Sequence, residues 1–547
     1  MMKTGHDSGP NPSPAPDVDW VVIGSGFGGS VAALRLAEKG YRVAVIERGR
    51  RYADEDLPAS ASDRGRFLWA PAFGLRGIMR NRPFRHVFSS TQTGVGGGSL
   101  VYGGVLFRAQ EKFFQDAQWR ALGNWAQTLD PHYATAEQML GVQTTPWESV
   151  TMGLTREVAE HFGATETFSA APVGVFFGMP GVRVDDPYFG GEGPARTGCT
   201  RCGSCMVGCR VGAANRLTKN YLWFAEKRGA QITAEREVID VSPIGSPDGR
   251  DGYRVTTQRP GSPLTRDRTT ITTRGVVFAG GAVGTNELLA DCKHRGSLPR
   301  ISDRLGTLVR TNSEAVLSVL LPEDRQTWRD VTASSRVILD GDTQIEFLTY
   351  GQHGDFMRLM FTLLTGEGRV PKRLANWLGT VAHHPGQWVE TMRQGWSSRT
   401  LMMLVMQARD NAIRFKATKR RFGRGYRLTT AVDSERPAPT YLEIGHQVAK
   451  WVAERTGGIA QSSIFEAFGN IPMTAHVLGG ATIGADARSG VLDTQLKVFG
   501  YENMVVCDAA ALPANPGVNP ALTITALAEH AMAHVPAARE FARETCR

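Results

Sequence analysis

The stretch VVIGSGFGGSVAALRLAEKGYRVAVIERGR, residues 21–50, decides the fold. The apolar run from Trp20 to Ile23 has the length of a buried parallel strand. Gly24-x-Gly26-x-x-Gly29 follows at once, and helical periodicity then runs from Val31 to Lys39 and stops at Gly40. Tyr41 to Ile46 is a second apolar strand, with Glu47 at its C-terminal end. Gly24 permits the tight turn, Gly26 lets the backbone approach a pyrophosphate, and Gly29 lets helix and strand pack closely. The helix N-terminus presents free N–H groups and a positive dipole end to the phosphates. Glu47 can accept both hydroxyls of an adenosine ribose and would repel a 2′-phosphate. The unit therefore predicts an FAD or NAD site, not an NADP site. A glycine triplet alone is weak evidence; here the strand before it, the helix after it and the acid beyond complete the fingerprint.

At 547 residues the chain can build two or more cores. Its formal charge of +9 comes mostly from scattered arginines, with no long basic block of the kind that grips nucleic acid. Nucleic acid is therefore not an expected partner, whereas a mild attraction to anionic membrane surfaces, and so peripheral membrane contact, is compatible with the charge. Residues 1–16 lack the apolar centre of a signal peptide and read as a disordered tail. No apolar run is long enough to span a bilayer. Four of the seven cysteines crowd between Cys199 and Cys209, unlike a secreted disulfide framework, so a cytoplasmic location is expected.

A second glycine run, Gly94-Val-Gly96-Gly97-Gly98-Ser99-Leu100-Val101-Tyr102-Gly103-Gly104, suits a backbone laid against a flat ligand rather than a flexible linker. Asn124 to Leu140, Val150 to Phe162 and Ala213 to Gly229 read as helices, Val173 to Gly198 as loop, and Val238 to Ile244 with Tyr253 to Gln258 as a meander. Gly275 to Gly284 repeats the opening logic of strand, glycines and helix. It predicts a later strand of the same nucleotide-binding sheet and hence a discontinuous domain. Glu314 to Leu321, Arg336 to Tyr350 and Leu401 to Met406 predict an antiparallel sheet with covering helices. Its methionines read equally as core filler or as the adaptable wall of a lipid-like pocket. Near the end, His476 precedes Gly479-Gly480, the strand Asn503 to Cys507 ends in Asp508, and Gly517-Val-Asn519-Pro520 opens a helix from Ala521 to Ala533.

Taken together, GVGGGSLVYGG, the HVLGG segment, NMVVCDAAALP and GVNPALTITALAEHA resemble the glucose–methanol–choline (GMC) oxidoreductases. Within them the chain resembles the bacterial sterol oxidases with noncovalent FAD. The resemblance implies an α/β chain. A Rossmann-like FAD-binding domain would be built from residues 17–309, including a Cys-rich loop at 195–212, and 470–547. A six-stranded, mainly antiparallel substrate domain would be built from 310–469. It implies flavin contacts at Gly24, Gly26, Phe27, Gly28, Gly29, Glu47, Gly96, Gly97, Gly98, Ser99, Tyr102, Gly103, Val238, Gly280, Asp508 and Pro520. Tyr102 departs from the asparagine found in many members. The implied reaction is oxidation of a hydrophobic, sterol-like secondary alcohol by hydride transfer to the flavin. His476 would deprotonate the hydroxyl, Asn519 would polarise the flavin and bond the substrate oxygen, and Glu346 would move a proton during double-bond isomerisation. A neutral imidazole is a natural proton acceptor near neutral pH, and a carboxyl buried among apolar residues is pushed toward a useful base.

Cys199-x-x-Cys202-x-x-Cys205-x-x-x-Cys209 has the spacing of a bacterial ferredoxin motif, but Arg210 stands where proline usually follows. Three readings stay open: an iron–sulfur cluster completed by all four thiolates or by a remote ligand such as Cys292, a zinc site, or free thiols or a redox pair in a tight loop. The first would direct electrons to a carrier protein in place of oxygen, making the chain a dehydrogenase for a sterol or another apolar alcohol. A flavin-binding protein without alcohol chemistry is the alternative of a different class; it would need neither His476 nor Asn519.

Overall fold

The computed structural model describes residues 16–261, 267–421 and 425–539. The expected tail falls almost wholly outside them. The strand Val18–Ile23 forms because five of its six side chains are apolar. It sits between Val43–Ile46 and Arg268–Phe278, parallel to both. Gln231–Thr233 extends the sheet beyond Val43–Ile46, and Met504–Val506 pairs parallel with Val276 to Phe278. The long strand Arg268–Phe278 serves two neighbours. Its first half is an antiparallel partner of Tyr253–Gln258, which pairs with Glu237–Pro243, while its second half belongs to the parallel sheet. The helix Phe27–Glu38 packs on this sheet, and Ala521–Ala533, buried along nearly its whole length, packs on that helix.

The second large sheet is antiparallel. Its order is Phe361–Leu363, Ile459–Ser463, Ala315–Leu320, Thr400–Gln407, Thr343–Leu348, Ser335–Leu339 and the two-residue strand Ser169–Ala170. It has seven strands rather than six, and the seventh comes from outside 310–469. Two further departures blur the expected boundaries. The helix Val150–His161 packs through Leu154, Val158 and Ala159 on this sheet's core. Conversely, Ile413–Lys419 pairs with Thr307–Arg310 and Tyr426–Val432 pairs with Ile413–Lys419, and the two bury Phe415 and Leu428 in the nucleotide-domain core.

Strand periodicity resolves the methionines. On Thr400–Gln407, Leu401, Met403 and Val405 pack with Val448 and Val452 of the helix Glu443–Thr456. Met402, Leu404 and Met406 face the opposite way, into a cluster that includes Val101, Val105 and Leu348. One face is core filler and the other is pocket wall, because successive strand residues point to opposite faces. The expected helix Ala213 to Gly229 is shorter, confined to Tyr221–Lys227 after a turn at Leu217–Lys219. Tertiary bonds hold its first part open: the buried Arg196 guanidinium donates to Asn215 Oδ1 at 2.7 Å and to the Lys219 carbonyl at 2.7 Å. Among the described residues no helix is long and apolar enough to cross a membrane.

Candidate active site

The two glycine runs meet. Gly97 has φ +51°, and a Cβ there would lie 2.6 Å from Gly26 Cα, so only glycine lets the loops touch. A Cβ on Gly29 would lie 2.0 Å from the Gly24 carbonyl oxygen, backbone that cannot give way. Gly29→Val is therefore expected to strip the protein of bound flavin, read as the flavin-to-protein absorbance ratio after purification; a wild-type ratio would contradict the fingerprint reading.

Glu47 staples this junction. Its carboxylate accepts from Ser25 Oγ at 2.8 Å and Ser25 N at 3.2 Å, and from the backbone N–H groups of Gly49 at 2.8 Å and Gly94 at 3.3 Å. Four donors match the roughly four lone-pair directions of a carboxylate. A ribose hydroxyl would therefore share or displace one of them. Ser99, expected beside the flavin, instead ties the second loop internally: it donates to the Gly96 carbonyl at 2.7 Å and accepts from Leu217 N at 3.0 Å.

Between the domains runs one continuous cavity of about 2110 Å³ of empty space, its open mouth included. Its dinucleotide end is lined by Gly24 to Gly28, Glu47, Gly97, Gly98, Tyr102, Gly103, Val238, Gly280, Asp508 and Pro520. Gly29, Gly96 and Ser99 lie behind that surface. The N-terminus of the helix Ala521–Ala533 opens on the same wall through Asn519, Pro520, Ala521 and Ile524, bringing its positive dipole end to the cavity. Asp508 is buried. Burial raises its pKa to about 6, against hydrogen bonds from Thr285 Oγ1 at 2.5 Å and Ala510 N at 2.8 Å. The other end is apolar, with Val101, Val105, Met206, Val316, Leu348, Tyr350, Met402 and Leu404.

Where the two ends join stand His476, Asn519 and Glu314 on the lining, with Glu346 directly behind. Nδ1 of His476 lies 2.8 Å from Oε2 of Glu314. That ion-pair contact turns Nδ1 toward Glu314, so Nε2 is the ring nitrogen left for the cavity. Glu314 is itself held by Thr474 Oγ1 at 2.8 Å and Ala475 N at 3.2 Å, so the histidine's own strand entry positions its partner. Burial pushes the His476 pKa down. The Glu314 carboxylate beside it, and Glu346 farther off, together push it up by more, so the net direction is upward. Glu314 was not singled out in the sequence, where it is one acid at the start of an apolar strand.

Glu346 is fully buried on Thr343–Leu348. Burial raises its pKa to about 7, although Gln344 Nε2 donates to its Oε1 at 2.5 Å and Asn519 Nδ2 to its Oε2 at 3.3 Å. The Asn519 amide thus spends its N–H₂ on Glu346, while its buried Oδ1 has no partner in the protein. An orphaned carbonyl of this kind costs about 1–3 kcal/mol until something donates to it, and Asn519 lines the cavity. The set holds a base for an alcohol's single O–H proton and, behind Asn519, a second titratable group near neutrality. The cradle and the orphaned oxygen both fit a bound flavin dinucleotide with an alcohol beside it.

The four loop cysteines carry no disulfide. Among the described residues no three His, Cys, Asp or Glu side chains form a group that could hold a metal ion. Cys292 is not a remote ligand: it is buried in the helix Gly281–Arg295, with Sγ 3.6 Å from Asp240 Oδ1.

Comparison with known proteins places the site in context. Residues 19–160 match a profile described as FAD dependent oxidoreductase, and residues 443–528 one described as GMC oxidoreductase. A cholesterol oxidase of Mycobacterium tuberculosis (strain CDC 1551 / Oshkosh) is 44% identical over 531 residues, covering 94% of this chain and 90% of that one. A cholesterol oxidase of Acinetobacter baumannii is 40% identical over 529 residues, covering 95% of each. Among solved structures, pyridoxine 4-oxidase from Mesorbium loti shares the fold with a TM-score of 0.60 at 14% identity, covering 96% of this chain and 99% of that one.

Proposed function

We propose a 3β-hydroxysteroid as the substrate of this chain, which belongs to the GMC oxidoreductases and is an FAD-dependent alcohol oxidoreductase. The observation that carries the reading is the cavity itself: a long apolar wall from Met402, Leu404, Val316 and Tyr350 that ends at His476 and Asn519. A bulky ring system lies against that wall while its single hydroxyl reaches the polar end. The cholesterol oxidases that this chain resembles over most of its length support the same choice, and their name supports oxygen as the electron acceptor. A steady-state comparison tests it. kcat/KM for a 3β-hydroxysteroid is expected to exceed that for a long-chain primary alcohol and for an aromatic alcohol by about 10²-fold or more; a higher value for either of the others would refute the proposal.

When bound, FAD supplies the hydride acceptor. The protein's part is to place and deprotonate the alcohol. Nε2 of His476 takes the hydroxyl proton as the C–H bond weakens, and the imidazolium so formed is stabilised by Glu314 on its far side. The same Nε2 accepts the alcohol's one O–H before transfer, and the helix that begins beside Asn519 stabilises negative charge on the reduced ring. Glu346 is the group proposed to carry a proton between ring carbons of the ketone product, because a carboxyl with a pKa near 7 is a base and an acid in turn.

The Glu314 contact predicts a pH effect. His476 must be neutral to act, and Glu314 raises its pKa, so activity falls as pH drops through that raised value. Glu314→Gln removes the carboxylate and is expected to move the acidic limb of kcat/KM to lower pH. It should also slow turnover on the plateau by roughly 10²-fold, since the forming imidazolium loses its counter-charge. An unmoved limb would exclude the pair from catalysis.

Peripheral contact with a lipid surface fits a water-insoluble substrate. It is supported by the exposed side chains of Leu359, Leu374, Leu378 and Val389 in a segment that also carries Arg369, Lys372 and Arg393.

A further inference from the structure

We propose that the loop Cys199 to Cys209 binds an iron–sulfur cluster through Cys199, Cys205 and Cys209, with Cys202 at its solvent edge. The four cysteines are not equivalent. Cys199, Cys205 and Cys209 are partly buried and pack against the apolar cluster that contains Val101, Val105, Tyr350 and Met402, whereas Cys202 is exposed. A backbone N–H is aimed at one of these sulfurs: Arg201 N donates to Cys199 Sγ at 3.4 Å. Hydrogen bonds of this kind hold cluster ligands and set their potential.

The loop is built as a fixed cradle. Arg201, Gly203 and Gly208 all have positive φ, at 57°, 67° and 108°, so the chain turns back on itself three times within the cysteine spacing. Gly203 is pinned by its N–H to the Asp330 carbonyl at 3.1 Å, and its own carbonyl accepts from Thr332 Oγ1 at 3.2 Å. Among the described residues no three His, Cys, Asp or Glu side chains stand grouped where a metal ion could be held. Zinc gathers its thiolates at about 2.3 Å from one centre. In a cluster each iron takes its own thiolate, so the sulfurs stand apart by the width of the inorganic core.

Met206, next to Cys205, lines the cavity, and its Sδ would lie 3.7 Å from a Cβ on Gly103 of the second glycine run. The thiols therefore stand just behind the cavity wall. The binding site stands independently of the sterol reading; its role rests on that reading. Each alcohol oxidised leaves two electrons and one proton on the flavin. The cluster takes the electrons one at a time and hands each to a one-electron carrier protein, and after two passages and loss of the proton the flavin is oxidised again. This exit operates alongside direct reaction with oxygen.

The test uses the full-length protein purified without oxygen, and the same protein treated with ferrous iron and sulfide. Iron and acid-labile sulfide are expected in matching amounts, several per FAD, with a low-temperature electron paramagnetic resonance signal. Cys205→Ser and Cys209→Ser should each lose the iron and the signal while retaining FAD and its anaerobic bleaching by sterol, which shows that they fold. Cys202→Ser should keep both. Protein that holds FAD but no iron after both treatments would overturn the proposal, as would equal iron loss in Cys202→Ser and Cys205→Ser. Iron without sterol bleaching would overturn the substrate reading and leave the cluster standing.

Discussion

Replacing His476 by alanine is expected to slow anaerobic reduction of the bound flavin by a 3β-hydroxysteroid about 10²- to 10⁴-fold, the usual contribution of a positioned general base. Flavin content should not change, because His476 makes no contact that closes the glycine cradle. The residue holds Glu314 on one side and faces the cavity on the other. Its loss also leaves the Glu314 carboxylate buried with only Thr474 and Ala475 as donors. A control follows from that. Glu314→Gln combined with His476→Ala should be no slower than His476→Ala alone, since the acid acts only through the ring. Stopped-flow absorbance of the flavin reads all of these variants. An unchanged reduction rate in His476→Ala would remove it from the mechanism.

The second large effect is on product identity. Glu346→Gln is expected to convert a producer of the conjugated 4-en-3-one into a producer of the unconjugated 5-en-3-one, with the isomerisation step slowed about 10²- to 10⁴-fold. Flavin reduction should fall far less. The substituted amide keeps the side-chain length, and its carbonyl can still accept from Gln344 or Asn519, so the wall of the cavity is retained. What is lost is a group that titrates: burial holds the Glu346 carboxyl near 7, where it can both remove and return a proton. The isomerisation rate in wild type should rise with pH through about 7 as the carboxylate form fills. The ultraviolet absorbance of the conjugated ketone, followed against flavin reduction in the same reaction, separates the two steps. Conjugated product formed by Glu346→Gln at the wild-type rate would assign isomerisation to another group.

Much of this was legible in the chain because it is local. The glycine fingerprint, the buried strand after it and the terminal helix Ala521–Ala533 are set by residues within a turn or two of each other, and the helix falls within the range its sequence predicts. His476 and Asn519 both line the cavity. What escaped the sequence is tertiary. Glu314 is one acid before an apolar strand until Thr474 and Ala475 fold over it. Helical periodicity from Ala213 onward lost to Arg196, which needed Asn215 and the Lys219 carbonyl to satisfy a buried guanidinium. The domain boundaries shifted because both domains borrow: Val150–His161 goes to one core and Phe415 with Leu428 to the other, exchanges that no composition change marks. Glu47 shows a third kind of gap. Its position was clear, but its four protein donors are visible only when both glycine loops are in place.

The central claim, that this cavity oxidises a sterol hydroxyl with the flavin as acceptor, is tested most directly by one anaerobic titration. FAD-loaded protein is mixed with increasing 3β-hydroxysteroid while the visible flavin absorbance is followed, and air is then admitted. The account predicts full bleaching at about one steroid per flavin, 3-ketosteroid formed in equal amount, and recovery of the absorbance with oxygen. Flavin that stays oxidised at every steroid concentration, yet bleaches with a simple aliphatic alcohol, would contradict it.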